Sequence, residues 1–392
     1  MKHRHVPNPS GPQGPIVMTL DAGGTHFVFS AIRDSRECVP PITHPSHGHD
    51  LKRCLQTILQ GFEETRRVLD TVPAAISFAF PGPADYAGGI IGDLGNLPAF
   101  RGGVPLGPML EDHFGLPVFI NNDGDLFAYG EAMHGFLPEL NRRLEAAGSR
   151  RRFRNLVGVT LGTGFGGGLV GRHEPYLGDN GAGAEVWLLR NSLNPGSFSE
   201  ENISARAVVR EYMGLAGGDE NGMTPLQVYQ VATGHLPGNR QAATESFDRL
   251  GQALGDALGD VITLCDAPVV IGGGLAGAWE LFAPAMIRKL NGSLRSLGGQ
   301  AVPRLEVQVV DLEDPLGFGR LAEETSRLVR VPFSDRTVTY DPVKKVGLGR
   351  SRLGASKAIA LGAYAFALHK TGYRDPALFP DDPAAGPSDA NH

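Results

Sequence analysis

The sequence contains few cysteines, and no two of them stand at a spacing that binds metal. Its three cysteines, Cys38, Cys54 and Cys265, lie far apart and form no CxxC pair. A disulfide framework and a thiolate metal site are therefore not expected, and a reducing compartment fits this distribution best. On this basis we expect a cytoplasmic protein.

Long apolar runs are also missing. No apolar stretch approaches the roughly eighteen residues that a membrane-spanning helix needs. Residues 1–15 are rich in Pro, His and Gly and lack the apolar core of a signal peptide, so we expect a solvated tail there. No membrane association is expected.

An excess of basic charge is absent too. The sequence has 36 Lys and Arg residues and 42 Asp and Glu residues, which gives a formal net charge of −6. Such a balance provides no basic field for nucleic acid, and we expect no nucleic-acid partner. The arginines between Arg142 and Arg154 are accompanied by Glu139 and Glu145, which favours a solvated surface over a binding patch.

What the chain does have is length and a repeated strand pattern. Its 392 residues predict two domains, and 41% hydrophobic residues suffice for a sizeable core. The apolar run 16–20, a Gly-Gly turn and a second apolar run 27–32 predict a β-hairpin. The same order recurs at 156–161, 162–168 and 169–170. Two similar α/β lobes with a cleft between them are therefore expected.

Both glycine turns have the chemistry of a phosphate-binding loop. Glycine lets backbone N–H groups approach a phosphate, and Asp21 would supply an oxygen partner for hydrated Mg²⁺. An ordinary hairpin with Asp as a turn former is the alternative. The second turn, Gly162-x-Gly164-x-x-Gly167, formally matches a dinucleotide fingerprint, but a returning strand follows it where that motif needs a helix. We therefore reject a dehydrogenase, and the missing GxxxxGK[ST] loop excludes a P-loop NTPase.

Two acidic positions are candidates for chemistry on a hydroxyl group. Asp123 follows an apolar strand and Asn121-Asn122, where a carboxylate could take the proton of an attacking hydroxyl while Asn122 fixes a neighbouring one. The alternative is an Asx turn in which Asp123 caps the next helix. Glu185 could equally be a carboxylate at a helix start.

Six motifs occur in one order along the chain. They are Asp21-x-Gly23-Gly24-Thr25, Pro81-Gly82-Pro83, Asn96-Leu97-Pro98, Asn122-Asp123, Leu161-Gly162-Thr163-Gly164-x-Gly166-x-Gly168 and Ile271-Gly272-Gly273-Gly274. This set resembles the ROK family of sugar kinases and sugar-responsive repressors over about residues 16–370. The resemblance implies an α/β fold of the two-lobe, actin-like (ribonuclease H-like) ATPase type with a central cleft.

The resemblance also implies roles for individual residues. It implies ATP and Mg²⁺ as cofactors, with phosphate contacts at Gly23, Gly24, Thr25, Gly162, Thr163 and Gly164, and adenosine contacts near Gly272, Gly273 and Gly274. The catalytic base of the family matches Asp123. Its sugar-binding residues match Asn96, Asn122, Glu185 and Glu200, with Glu201 a close competitor for the last position. A homodimer is implied by the resemblance alone.

The chain departs from the family pattern at two places. The family glutamate matched by Glu185 is usually followed by Gly-His and then by a cysteine-rich zinc loop. Here Glu185 is followed by Val-Trp-Leu-Leu-Arg, and no histidine or cysteine occurs up to Glu200. We therefore expect no structural zinc and one sugar contact fewer. The second departure is an added segment, 311–350, to which no role is assigned.

These observations predict a hexokinase-type enzyme that phosphorylates a hexose or N-acylhexosamine with ATP. A non-catalytic sugar-sensing protein of the same family is the alternative. A DNA-binding repressor is disfavoured, because about fifteen residues before the first strand are too few for a helix-turn-helix module. The expected organisation is a disordered tail 1–15, an N-terminal lobe 16–122 completed by a helix 355–370, a C-terminal lobe 123–354 with the insertion 311–350, and a flexible tail 371–392.

Overall fold

A computed structural model describes residues 14–95, 97–218 and 222–373. The chain divides into two compact units, unit 1 (Met1–Asn122 and Ala360–His392) and unit 2 (Asp123–Ile359). The expected tails 1–15 and 371–392 fall almost entirely outside the described residues, and so does Asn96.

Unit 1 is built on a six-stranded mixed sheet. Its strands are β1 (Val17–Ala22), β2 (His26–Arg33), β3 (Arg36–Glu37), β4 (Ile42–Pro45), β5 (Ala75–Ala79) and β8 (Val118–Asn121). The order is β3-β2-β1-β5-β8, and β4 also pairs with β2. β1 and β2 form the predicted antiparallel hairpin around the Gly23-Gly24 turn, whereas β1, β5 and β8 are parallel.

The helices of unit 1 cover an aromatic core. They are α1 (Leu51–Arg67) and α2 (Leu106–Phe114), and a small hairpin of β6 (Ala84–Asp85) and β7 (Ile90–Ile91) lies between them in sequence. An Asp directly before the apolar helical pattern of residues 51–62 predicts a helix cap at Asp50, and its side chain does accept a hydrogen bond from the N–H of Arg53 at the start of α1. Phe62 of α1 packs edge-on against Phe29 of β2, with ring centroids 5.2 Å apart.

Unit 2 repeats the arrangement in its own six-stranded sheet. Its strands are β9 (Leu156–Leu161), β10 (Phe165–Gly171), β11 (Glu174–Pro175), β12 (Val269–Gly272), β15 (Gln308–Asp311) and β18 (Lys345–Arg350). The order is β11-β10-β9-β12-β18-β15, with β9 and β10 antiparallel and β9, β12, β18 and β15 parallel. The predicted returning strand after the second glycine turn is therefore confirmed.

Helices pack on this sheet, and two small hairpins stand apart from it. The helices are α3 (Asp123–Met133), α4 (Phe136–Ala146), α5 (Ala205–Ala216), α6 (Pro225–Thr233), α7 (Arg240–Cys265), α8 (Trp279–Leu290) and α9 (Gly317–Ala322). The hairpins are β13 (Ser293–Arg295) with β14 (Ala301–Pro303), and β16 (Arg327–Arg330) with β17 (Thr337–Tyr340). Thr224 caps α6 in a capping box with Gln227, as its sequence position predicts.

The segment 311–350 is not wholly an addition to the fold. Its last six residues form β18, a buried strand that lies between β12 and β15 and pairs with both. The polar character of residues 311–344 concealed this strand, because β18 is short and begins with a lysine. Within the segment, the hairpin β16–β17 pairs only with itself among the described strands.

A final helix, α10 (Ala355–Thr371), belongs to both units. Its residues from Ala360 onward complete the core of unit 1. There the N–H of Asp34 donates to the Tyr364 hydroxyl at 3.1 Å, and the rings of Phe119 and Phe366 lie 5.9 Å apart.

Candidate functional site

The glycine turn of unit 2 is held in place by residues from outside its hairpin. Within the turn, the N–H of Gly162 donates to the carbonyl of Gly164 at 3.0 Å. The N–H of Ala205, the first residue of α5, donates to the carbonyl of Gly162 at 2.8 Å. Thr163 is exposed at the tip. The turn is thus fixed at its base and open at its tip, as a phosphate-binding loop requires.

Glu200 contacts this turn directly. Its Oε2 accepts a hydrogen bond from the N–H of Phe165 at 3.0 Å, and its Oε1 pairs with Arg206 at 3.0 Å. A Cβ on Gly164 would lie 2.6 Å from the same Oε2, so a larger residue there would displace the Glu200 carboxylate. The structure therefore brings Glu200 to the predicted phosphate turn, and its expected sugar contact stays a prediction.

The first turn of α3 packs against glycines of β10. A Cβ on Gly124 would lie 2.5 Å from the carbonyl oxygen of Gly167, and one on Gly168 would lie 2.8 Å from the Cα of Asp125. Only glycine allows the helix and the strand to come so close. This contact places the carboxyls of Asp123 and Asp125 beside the β9–β10 hairpin.

Asp123 is the first residue of α3, and its Oδ1 accepts a hydrogen bond from the N–H of Gly124 at 2.9 Å. The carboxyl keeps contact with solvent although protein atoms surround it densely. This partial desolvation raises the pKa of Asp123, and the backbone hydrogen bond opposes the rise. The residue predicted as the base is thus accessible and has a stronger affinity for a proton than an ordinary aspartate.

Asp125 is a second acidic group that sequence reasoning missed. Its side chain is 6% exposed, and its Oδ1 has no hydrogen-bond partner among the described residues. Burial raises its pKa to about 7, and the negative charges of Glu185 and Asp123 add to the shift. An aspartate in an otherwise apolar stretch two residues after Asp123 was the available signal.

Glu185 lies in a loop that packs against the other side of β10. A Cβ on Gly167 would lie 2.6 Å from Val186, which fixes the loop against the strand. Glu185 precedes a short 3₁₀ turn, Val186–Leu188, but its side chain makes no capping hydrogen bond there. Glu185 therefore does stand at a helix start, as the alternative predicted, although its side chain does not cap the turn.

Trp187 contacts Glu185 in place of the family's histidine. Its indole Nε1–H donates a short hydrogen bond to Oε2 of Glu185. Its ring packs edge-on against Phe198 at 5.6 Å, and the Ser199 hydroxyl donates to the carbonyl of Trp187 at 3.0 Å. The sequence identified Trp187 as a departure from the family pattern without predicting this contact.

The third glycine turn follows β12. Gly273 has a φ of +87°, and a Cβ on it would lie 2.3 Å from the carbonyl oxygen of Leu161. A Cβ on Gly272 would lie 2.5 Å from the ring of Phe127. Gly274 is exposed and has no atom within 4 Å of its would-be Cβ. The first two glycines therefore serve packing, and Gly274 leaves space beside the backbone.

In unit 1, the predicted phosphate and metal residues surround the β1–β2 turn. Asp21, Gly24 and Thr25 are exposed. The Ser46 hydroxyl donates to the carbonyl of Gly24 at 2.6 Å, and the N–H of Ser46 donates to the carbonyl of Thr25 at 2.9 Å. Asn122 directly follows β8 and is the last residue of the N-terminal segment of unit 1.

The oxygens of Asp21 suit a hydrated magnesium ion. The carboxylate is exposed, and within the described ranges no residue donates a hydrogen bond to it. Across residues 14–95, 97–218 and 222–373, no three His, Cys, Asp or Glu side chains group together as a metal site. A single carboxylate that contacts Mg²⁺ through water fits both observations. The expectation of no structural zinc stays a prediction that metal analysis tests.

Among the helices that the structure describes, none is long and apolar enough to cross a membrane.

Comparisons with known proteins find sugar kinases of similar sequence and structure. The crystal structure of a glucokinase from Parabacteroides distasonis is similar, with a TM-score of 0.83 and 50% identity over 91% of this chain and 98% of that one. An N-acetyl-D-glucosamine kinase from Vibrio vulnificus is 26% identical over 288 residues, which are 69% of this chain and 88% of that protein.

A ROK family glucokinase from Streptomyces griseus, solved with glucose and AMPPNP, shares the fold. Its TM-score is 0.56 at 18% identity, over 89% of this chain and 98% of that one. These neighbours confirm the predicted two-lobe, actin-like ATPase type of α/β fold. The sequence model of the ROK family matches residues 17–314, and the chain belongs to the ROK family.

Proposed function

We propose that the protein phosphorylates a hydroxyl group of a hexose or N-acylhexosamine with ATP, and that Asp123 is the general base. The observation that carries this proposal is the position of Asp123. It lies at the start of α3, accessible to solvent and with a raised pKa, and the next residue, Gly124, packs against Gly167 of β10, the strand that follows the glycine turn. Family membership and relatives named as glucokinase and N-acetyl-D-glucosamine kinase support a sugar kinase.

Asp123 would accept the proton of the attacking sugar hydroxyl. A carboxylate whose pKa lies above the ordinary range is a better proton acceptor, provided that it is still ionised at the working pH. Phosphoryl transfer needs little other covalent chemistry from the protein, so the remaining residues bind and orient. Asn122, the neighbour of Asp123, is proposed to hold an adjacent sugar hydroxyl.

The glycine turns are proposed to bind ATP. Gly162, Thr163 and Gly164 would donate backbone and hydroxyl hydrogen bonds to phosphate oxygens, and Gly23, Gly24 and Thr25 would do the same in unit 1. Gly272, Gly273 and Gly274 would leave room for the adenosine. Asp21 would hold Mg²⁺ through water, and the bound ion neutralises negative charge on the phosphoryl group that is transferred.

Asn96, Asn122, Glu185 and Glu200 are the proposed sugar-binding residues. Glu185 is supported by its hydrogen bond from Trp187, which holds one carboxylate oxygen and leaves the other able to accept from a sugar hydroxyl. Glu200 is engaged by Phe165 and Arg206 and is the weaker of the two glutamates on structural grounds.

A kinase assay tests the proposal. Production of ADP is measured with ATP, Mg²⁺ and a panel of glucose, mannose, N-acetylglucosamine and N-acetylmannosamine. At least one sugar should support turnover, and Asp123→Asn should lower kcat by about 10²- to 10⁴-fold. The exposed Asp112→Asn on α2 is the matched control and should leave kcat unchanged.

The sugar-sensing alternative gives a different result in the same experiment. Sugar binding measured by calorimetry without any ADP formation would support a sensor and contradict the enzyme. If Asp123→Asn still turned over, the protein would be a kinase but Asp123 would not be its general base. Homodimerisation and a cytoplasmic location are further proposals, and light scattering coupled to gel filtration tests the first.

A further inference from the structure

A cavity of about 360 Å³ opens in unit 2 at the amino ends of its central parallel strands. Its wall is formed by residues 151–155 before β9, by Asp266 and Pro268 before β12, and by residues 344–346 at the start of β18. The charged side chains that line it are Arg151, Arg152, Arg154, Asp266, Lys344 and Lys345.

The cavity lies far from the glycine turns of the same sheet. The strands β9 and β12 run parallel, with Val157 opposite Val269, and the turns at Gly162 and Gly273 follow their carboxyl ends. The cavity flanks the opposite ends, at Asn155 and Pro268. Six residues of strand at about 3.3 Å each separate the two edges by roughly 20 Å. The cavity is therefore not part of the proposed nucleotide site.

Positive charge dominates the wall, although the whole chain carries a net charge of −6. Five basic side chains face one acidic wall residue, Asp266. Part of this charge is compensated. Arg151 pairs with Asp341 at 3.1 Å, and the buried Lys345 lies 3.7 Å from Glu323 and donates to the carbonyl of Arg320 at 2.8 Å. A local excess of positive charge remains.

Donors in this wall lack an acceptor. The Nε of Arg151 is buried and has no hydrogen-bond partner within the described ranges. A buried guanidinium donor without a partner is uncommon, but an atom that water does not reach is closed to a ligand in the cavity as well, so the accessible groups of the wall are the ones that would meet a ligand. Lys344 is exposed, and its ammonium makes no hydrogen bond to any residue that the structure describes. Arg152 directs one terminal nitrogen to the carbonyls of Ser149 and Arg151, at 2.7 and 2.8 Å.

The chemistry of these groups identifies a ligand class. Guanidinium and ammonium groups around one cavity match the three acceptor oxygens of a phosphate monoester. Asp266 is unfavourable for a second anionic group, but its carboxylate can accept hydrogen bonds from hydroxyls. The volume falls in the range of small-molecule sites, about 300–1,000 Å³, and is too small for a polymer.

We propose that this cavity binds a sugar phosphate or polyol phosphate, with the phosphate against Arg151, Arg152 and Lys344 and hydroxyls toward Asp266. The site is separate from the place where phosphoryl transfer is proposed. It joins residues 151–154 with residues 344–345, which explains why the arginine run alone indicated only a solvated surface.

Calorimetric titration of the full-length protein with glucose 6-phosphate, in the absence of ATP, tests the inference. The double variant Arg152→Ala/Lys344→Ala should weaken binding about tenfold or more, since two charged donors are lost. The control Lys52→Ala/Arg53→Ala changes the net charge equally on the exposed face of α1 and should bind like the wild type. Glucose, which lacks the phosphate, should show no binding that depends on Arg152 and Lys344.

Three outcomes would overturn the proposal. If glucose 6-phosphate bound equally well to both double variants, its binding site would lie outside this cavity. Inorganic phosphate that binds at the cavity while glucose 6-phosphate does not would reject a sugar phosphate. No measurable binding of either would remove the site. Glucose 6-phosphate is also a possible product of the proposed kinase, but binding at the proposed active site would be the same in both double variants, so only the difference between them reports on the cavity. Both variants are assayed separately for ADP formation.

Discussion

The backbone N–H of Phe165 donates to Glu200 at 3.0 Å, so a carboxylate from outside the β9–β10 hairpin fixes the shape of its glycine turn. A hydrogen bond to a charged acceptor contributes about 1.5–3 kcal/mol, and breaking it leaves the turn free to move. Glu200→Ala should therefore raise the KM for ATP by about tenfold or more. Glu200→Gln keeps an acceptor for Phe165 and should have a smaller effect.

The control for this experiment is the neighbouring residue. Glu201 pairs with Arg210 at 3.0 Å and makes no hydrogen bond to the turn, so Glu201→Ala should leave the KM for ATP unchanged. An unchanged KM for ATP in Glu200→Ala would contradict the support of the phosphate turn, and a raised KM for the sugar alone would leave Glu200 only its proposed sugar contact.

Two adjacent glycines after β12 should respond differently to alanine. At Gly273 the φ of +87° is strained for alanine, and its Cβ would lie 2.3 Å from the carbonyl of Leu161. Gly273→Ala should therefore lower the free energy of unfolding by about 2 kcal/mol or more. Gly274→Ala meets no neighbouring atom and should be close to neutral. Urea unfolding compares the two, and equal stability of both variants would contradict the packing role of Gly273.

Asp125 should make the stability of unit 2 dependent on pH. Its pKa is raised from 3.8 to about 7 in the folded protein. Well below pH 3.8 the carboxyl is protonated in both states and has no effect on stability. Between pH 4 and 7 the unfolded chain loses the proton while the folded chain keeps it, so stability falls as pH rises, by about 1.4 kcal/mol per pH unit at most.

Replacing Asp125 by Asn removes this titration. The stability of Asp125→Asn relative to the wild type should therefore be clearly greater at pH 8 than at pH 4.5. Both tryptophans of the chain, Trp187 and Trp279, lie in unit 2, so their fluorescence during urea unfolding reports on this unit. Asp112→Asn, an exposed change, should show no difference that depends on pH. A constant difference between wild type and Asp125→Asn at every pH would show that the carboxyl does not titrate as stated.

Trp187 should act on the sugar through Glu185. The change Trp187→Phe keeps a ring against Phe198 but removes the Nε1–H that donates to the glutamate. The KM for the sugar should rise several-fold, as expected for loss of one hydrogen bond to a charged group, while the KM for ATP stays the same. Trp279→Phe removes the other indole, in α8, and is the matched control. A parallel rise of both KM values in Trp187→Phe would indicate a general loss of structure instead.

The sequence predicted the repeated hairpins because glycine turns and apolar alternation are local signals. Asp50 and Thr224 were recognised as helix caps for the same reason, and the structure confirms both. Strand β18 was missed, since its burial depends on partners, β12 and β15, that are far away in the sequence.

Most contacts between side chains could not be predicted from the sequence. The hydrogen bond from Trp187 to Glu185 depends on the loop geometry around Ala184, which has a φ of +59°. The burial of Asp125 depends on the close packing of Gly124 against Gly167. In both cases the path of the backbone determines which side chains come into contact. That path cannot be recognised from the residue types alone.

The position of helix α10 in the sequence affects the order in which the two units can fold during synthesis. Its residues from Ala360 onward provide Tyr364 and Phe366 to the core of unit 1, which otherwise consists of residues before Asp123. A nascent chain therefore has all of unit 2 as far as Ile359 before the segment that completes unit 1 has been translated. The lobe that is begun first on the ribosome is the one that can be finished only last, whereas domains generally fold in the order of their synthesis.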